Sequence, residues 1–105
     1  MIRNYESCIK ACQQCLLDCQ YCLVQMSGKE SMNDCPKCCL LCIEACLVCI
    51  KFLVAGGPLA KEYCRLCADI CEWCAEQCGE HNHDHCKACA ESCITCAQEC
   101  RKLIA

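Results

Sequence analysis

Cysteines recur in this chain at the steps of a helix. In Cys8-Ile-Lys-Ala-Cys12-Gln-Gln-Cys15-Leu-Leu-Asp-Cys19-Gln-Tyr-Cys22 they alternate at four and three residues, the spacing that gathers side chains on one helical face. Cys35, Cys39, Cys42, Cys46 and Cys49 repeat those steps, with Cys38 beside the seam. Cys64, Cys67, Cys71, Cys74 and Cys78 take the opposite phase, and Cys86, Cys89, Cys93, Cys96 and Cys100 copy it. A thiol that loses its proton is a soft anionic ligand, so a face of thiols suits soft metal ions. Neighbours at i,i+3 and i,i+4 sit about 5–6 Å apart at Cβ, near enough for two sulfurs to converge on one ion.

Four seams need four helices. The pattern predicts them at about 3–26, 34–55, 58–79 and 83–103, within a single domain spanning 1–105. Ser27-Gly28 ends the first, glycine suiting a left-handed cap. Asp34 is the expected N-cap of the second, with Pro36 in its first turn, where the missing donor costs nothing. Gly56-Gly57 stops that helix and Pro58 opens the third. Glu80-His-Asn-His-Asp84 is a polar turn, with Asn82 and Asp84 as cap candidates. All three connections are short, so neighbouring helices run antiparallel. The expected fold is all-α, an up-down-up-down four-helix bundle with a cysteine-lined core.

Folding the seams in this order predicts five layers of four thiols: Cys8, Cys49, Cys64 and Cys100; Cys12, Cys46, Cys67 and Cys96; Cys15, Cys42, Cys71 and Cys93; Cys19, Cys39, Cys74 and Cys89; Cys22, Cys35, Cys78 and Cys86. At 1.5 Å per residue they form a tube about 20 Å long. Buried reduced cysteine behaves as a small hydrophobe, so such a core could fold without metal. Storage of metal explains the register better, because leucine fills a seam more fully and cannot be oxidised.

Charge selects the ion. One Zn2+ per layer of four thiolates would leave about −10 along a dry core. Cu(I) is soft and monovalent, and thiolate sulfur bridges two ions, so one Cu(I) per thiolate leaves the tube near neutral. The expected capacity is on the order of one Cu(I) per cysteine, roughly 20 in all. Iron–sulfur clusters usually take cysteines from loops, di-iron bundles need inward Glu and His, and no hydrolytic zinc constellation is present. The reading is therefore of a binding protein and not an enzyme. A zinc or mixed-metal buffer remains an alternative. So does a thiol redox protein, for which only Cys35 and Cys38, around Pro36 near a helix start, resemble the usual arrangement.

Twenty-one cysteines in 105 residues would ordinarily suggest a secreted disulfide scaffold. The odd count and the helical register argue against it, as does an N-terminus, Met1 to Lys10, without an apolar signal-peptide core. The expected compartment is cytoplasmic, where thiols stay reduced. A net charge of −3, with acids and bases interspersed, excludes nucleic acid and acidic membrane surfaces as partners. No uncharged run approaches the roughly 20 residues that span a bilayer.

The two ends of the tube differ. Past Cys8 the seams reach Tyr5, Leu53, Ala60 and Leu103 or Ile104, with Phe52 and Leu59 nearby, an apolar plug. Past Cys22 they reach Met26, His81 and His83, with Met32 and His85 in the adjoining linkers. Methionine and histidine accept copper without tight burial, so this is the expected mouth, with Cys38 close by as an extra ligand. A solvated turn with methionine end caps would have the same composition. Outside the seams, Leu40, Leu41, Ile43, Leu47, Val48 and Ile50, with Leu16, Leu17, Leu23 and Val24, exceed what a lone bundle buries. They predict a homo-oligomer through the first two helices, with Trp73 and Leu66 at its edge or under a linker.

With these four Cys-x2-Cys/Cys-x3-Cys seams, short loops and histidines near one mouth, the chain resembles the bacterial copper storage proteins over essentially its whole length. It looks most like their cytosolic branch. The resemblance implies a tetramer of bundles that holds many Cu(I) ions on thiolates and protects against copper toxicity. It implies a storage role for the seam cysteines and a role in admitting copper for His81, His83 and His85.

Overall fold

The computed structural model describes residues 5–105, in which four helices follow one another: α1 (Glu6–Met26), α2 (Cys35–Ala55), α3 (Ala60–Gly79) and α4 (Asp84–Ile104). The expected first turn of α1, at residues 3 and 4, lies outside them. Each helix packs on two neighbours, α1 on α2 and α4, and α3 on α2 and α4, closing a ring around one axis. The bundle measures 42 × 21 × 18 Å.

The helix ends follow the local chemistry, with three departures from expectation. Asp34 occupies the N-cap position of α2, but its side chain makes no capping bond. The carboxamide Oδ1 of Asn33 accepts from the Cys35 N–H at 3.0 Å instead. Helix α3 starts at Ala60, two residues after Pro58, because Gly57 and Leu59 hold the turn through bonds to Ala60 and Tyr63 N–H groups at 3.4 and 3.0 Å. At α4 the cap position falls to His83, whose carbonyl accepts from Cys86 and Lys87 at 3.1 and 3.0 Å. Gly28 lies at φ +79°, in the left-handed region expected after α1, and lets Lys29 N–H reach the Met26 carbonyl at 3.0 Å.

The buried core is cysteine and alanine almost throughout. Ala11, Ala45, Ala68, Ala90 and Ala97 flank the thiols, and Leu53 and Met26 are the large aliphatic side chains among them. Short side chains at the contacts let the helices approach closely, which brings sulfurs from different helices within reach of each other. Across the surface, Arg101 of α4 pairs with Asp69 and Glu72 of α3 at 2.6 and 2.7 Å. These ions are exposed, so they orient the pair of helices and add little stability.

By length and composition α2 is apolar enough to cross a membrane, and it is the one helix among the described residues that is. Much of that apolarity is its cysteines, which are turned into the bundle, and it also carries Lys37, Glu44 and Lys51.

Candidate metal centre

All 21 cysteines are buried free thiols. The four thiols of the first expected layer, Cys8, Cys49, Cys64 and Cys100, lie within 4.8 Å of one another, as do Cys12, Cys46, Cys67 and Cys96 in the second. In the middle layer Cys15 meets Cys42 and Cys93 at 3.6 Å each, and Cys42 meets Cys71 at 3.6 Å. Toward the other end Cys89 lies 3.4 Å from Cys19 and 3.7 Å from Cys39. In the last layer Cys22 meets Cys86 at 3.6 Å and Cys35 at 3.9 Å, and Cys35 lies 3.1 Å from Cys78.

The tube is more continuous than five separate layers. Cys19 reaches Cys93 at 3.8 Å, Cys39 reaches Cys78 at 3.6 Å, and Cys74 reaches Cys78 at 3.8 Å. Tetrads also form between layers, as in Cys12, Cys49, Cys67 and Cys100, or Cys15, Cys46, Cys71 and Cys96. Cys15, in the middle layer, has sulfur neighbours beside it in Cys42 and Cys93, toward one end in Cys46 and Cys96 and toward the other in Cys19, the arrangement that bridging thiolate needs.

Cys38 stands apart. Its thiol donates to the Cys35 carbonyl at 3.1 Å and reaches the Cys74 carbonyl at 3.9 Å, between α2 and α3. Cys35 and Cys38 are both fully buried, so neither is an exposed nucleophile of the kind thiol exchange requires.

At the end near the chain termini, Leu53 and Ala60 are each 2% exposed, and Tyr5, Phe52, Leu103 and Ile104 pack against them and the thiols. Phe52 stacks on Tyr63 with ring centres 5.0 Å apart. Leu59, expected near this plug, is exposed instead, because it sits in the turn that precedes α3.

At the opposite end the expected ligands separate into distinct positions. Met26 is buried on the end of the tube, whereas Met32 is exposed in the linker. His85 places Nδ1 3.4 Å from Cys22 Sγ and 3.5 Å from Cys86 Sγ. His83 is exposed and lies between the other two, its ring centre 5.1 Å from that of His85 and 6.0 Å from that of His81. His81 is buried and bonds the first linker, its Nε2 2.9 Å from Asn33 Oδ1 and 3.3 Å from Ser31 Oγ.

The profile of the family described as copper storage protein matches residues 1–105. The chain belongs to the copper storage protein family. Several solved chains match it, two of them at about 40% identity. One is the Cu(I)-bound copper storage protein BsCsp3, at TM-score 0.92 and 39% identity, covering 97% of this chain and 99% of that one. The other is apo copper storage protein 3 of Bacillus subtilis, at TM-score 0.90 and 40% identity, covering 96% and 99%. An uncharacterized cysteine-rich protein of Bacillus subtilis strain 168, YhjQ, is 41% identical over 83 residues, 76% of this chain and 77% of that one.

In this member of the copper storage family the thiols also act on one another electrostatically. Neighbouring thiols share protons unequally. Cys15 is held far below the usual thiol range, first by donation from Cys19, and Cys19 is correspondingly pushed far up by Cys15. Cys100 is likewise drawn down, chiefly by Cys12, and Cys39 by Cys19. At the mouth, burial first of all pushes Cys86 up to about 11. A thiolate in this lattice depends on donation from neighbouring thiols, so complete deprotonation requires cations in place of the protons. Burial, followed by the charge of His83, lowers the pKa of His85, which keeps its ring neutral and its lone pair free near neutral pH.

Sequence reasoning passed over Ser31, Asn33 and Gln77, which shape the mouth. Nothing in their local pattern marks them, because their partners lie more than forty residues away, as in Asn33 with Gln77 and His81.

Proposed function

We propose that this chain stores Cu(I), holding many ions on the thiolates of its twenty seam cysteines, with Cys38 as a further ligand beside them. The observation that carries the reading is the continuous lattice of buried thiols, free of carboxylates, with sulfur contacts between 3.1 and 4.0 Å. Membership of the copper storage family and likeness to the Cu(I)-bound BsCsp3 support it. Met26, His83 and His85 serve the passage of ions at the mouth, His85 being in contact with two thiols.

The experiment is an anaerobic titration of the reduced protein with Cu(I) and, separately, Zn2+, against competing chelators. About 20 Cu(I) per chain is the expected saturation, with zinc displaced by copper. Saturation at a few equivalents, or zinc held against copper, would overturn the storage reading in favour of a buffer.

Loading is also expected to release protons, since ligands bind deprotonated. A buried thiolate without a cation is costly, so most seam thiols keep their protons in the metal-free protein and about half to one proton should leave per Cu(I), recorded in a pH-stat. It follows that copper retention falls as pH falls, steeply because many protons compete together. Release of almost no protons over the whole titration would mean that neutral donors carry the load.

The chain acts in the cytoplasm as a homotetramer through α1 and α2. Leu17, Tyr21 and Val24 lie exposed on one face of α1, and Leu40, Leu41, Leu47 and Val54 on α2. Large apolar side chains exposed in such number on two neighbouring helices are the usual sign of an interface.

A further inference from the structure

The two sides of the mouth are built differently. On the α2–α3 side, Asn33 fastens the first linker to the end of α3. Its Nδ2 donates to the Gln77 carbonyl and to Glu80 Oε1, both at 2.8 Å. Its Oδ1 accepts from the Cys35 N–H at 3.0 Å and lies 2.9 Å from His81 Nε2. Gln77 completes the join, its Oε1 accepting from the Asp34 N–H at 2.9 Å.

The chemistry of this amide decides what His81 can do. Both acceptors facing Nδ2 lack hydrogens, which fixes the orientation of the carboxamide. Oδ1 then has no hydrogen to give, so His81 Nε2 carries the proton and donates it to Oδ1. A nitrogen that bears a proton has no lone pair for an ion. Nε2 is therefore closed to an ion, and the ring is anchored to the linker by Asn33 and Ser31, with Nδ1 alone keeping a lone pair.

On the α1–α4 side nothing comparable occurs. His85 Nδ1 faces Cys22 of α1 and Cys86 of α4. Its Nε2 is the buried side-chain nitrogen or oxygen that finds no partner among the described residues.

We propose that Asn33 is a clasp that seals the α2–α3 side of the mouth and anchors His81 to the linker, away from the contacts with thiols that His85 makes, so that ions pass on the α1–α4 side across His85. The inference rests on the storage reading above. Asn33 acts as a positioning residue: it sets the path and the rate while leaving the thiol ligands in place.

The test compares Asn33→Ala, Gln77→Ala, His81→Ala and His85→Ala with the unaltered chain under anaerobic conditions. Three quantities are read on the same samples: the rates of Cu(I) uptake and of removal by a competing chelator, the total Cu(I) bound, and helicity by circular dichroism. Opening the clasp should speed removal about five-fold or more, the effect of losing one or two part-buried hydrogen bonds, with total copper unchanged. His81→Ala should behave like Asn33→Ala, and the double variant should be no faster than Asn33→Ala alone. His85→Ala should slow uptake. Should Asn33→Ala lose helicity, Gln77→Ala and His81→Ala carry the same comparison. Rates within two-fold of the unaltered chain for both clasp variants, or slowing by His81→Ala as large as by His85→Ala, would overturn the clasp. An unaltered chain that saturates at a few equivalents would overturn the storage reading and the clasp with it.

Discussion

Filling the tube with Cu(I) is expected to raise the thermal unfolding midpoint by at least about 15 °C. The metal-free core is made largely of cysteine and alanine, side chains that bury far less apolar surface than leucine. Each ion instead ties thiolates from different helices together, and these partners exist only in the folded chain. One site held at a thousand-fold excess over its Kd adds about 4 kcal/mol to stability, and 1 kcal/mol moves the midpoint of a domain of 60–100 residues by about 4–8 °C. Many sites act at once here, so the figure is a lower bound. Calorimetry or circular dichroism of reduced protein, empty and loaded, checks it. A midpoint that stays put on loading would place the ions at surface sites outside the tube.

The same dependence on spacing explains how much of this molecule could be read from its residues. A side chain at i, i+4 and i+7 faces one way whatever surrounds it, so the four seams, the helical class and the meeting of Cys8 with Cys100 or Cys12 with Cys96 follow from periodicity. Where direction depends on a distant partner, periodicity says nothing. His81, His83 and His85 alternate in sequence, and the extended seams point to His81 and His83, with His85 in the linker. They separate because Asn33 holds His81 at 2.9 Å while α4 turns His85 onto Cys22 and Cys86. The cap of α2 passed from Asp34 to Asn33 for the same reason. Leu59 looked like part of the plug by proximity, but the turn before α3 leaves it in solvent. Spacing also could not show that tetrads form between layers as well as within them. That follows from the stagger of helices packed at short range.

At the closed end, Leu53→Ala is expected to cost the metal-free protein about 2–5 kcal/mol and to let copper out by a second route. Leu53 is 2% exposed and is the large side chain that caps the tube beyond Cys49 and Cys64. Against a total stability of about 5–15 kcal/mol the loss is severe, so the empty variant should melt well below the parent. No ligand is removed, so Cu(I) capacity should stay the same, and loading should restore much of the lost stability by mass action. The cavity left by the missing atoms lies over Cys8, Cys49, Cys64 and Cys100, the tetrad that the plug covers. Chelators then gain a path to that tetrad, and removal should change from one kinetic phase to two. Leu53→Ile, which conserves volume at a cost under about 1.5 kcal/mol, separates packing from access. If the alanine variant loses stability yet releases copper in one unaltered phase, the plug supports the fold without acting as a barrier. All traffic would then run through the mouth, including the ions stored farthest from it, which would have to move along the lattice by exchange between neighbouring thiolates.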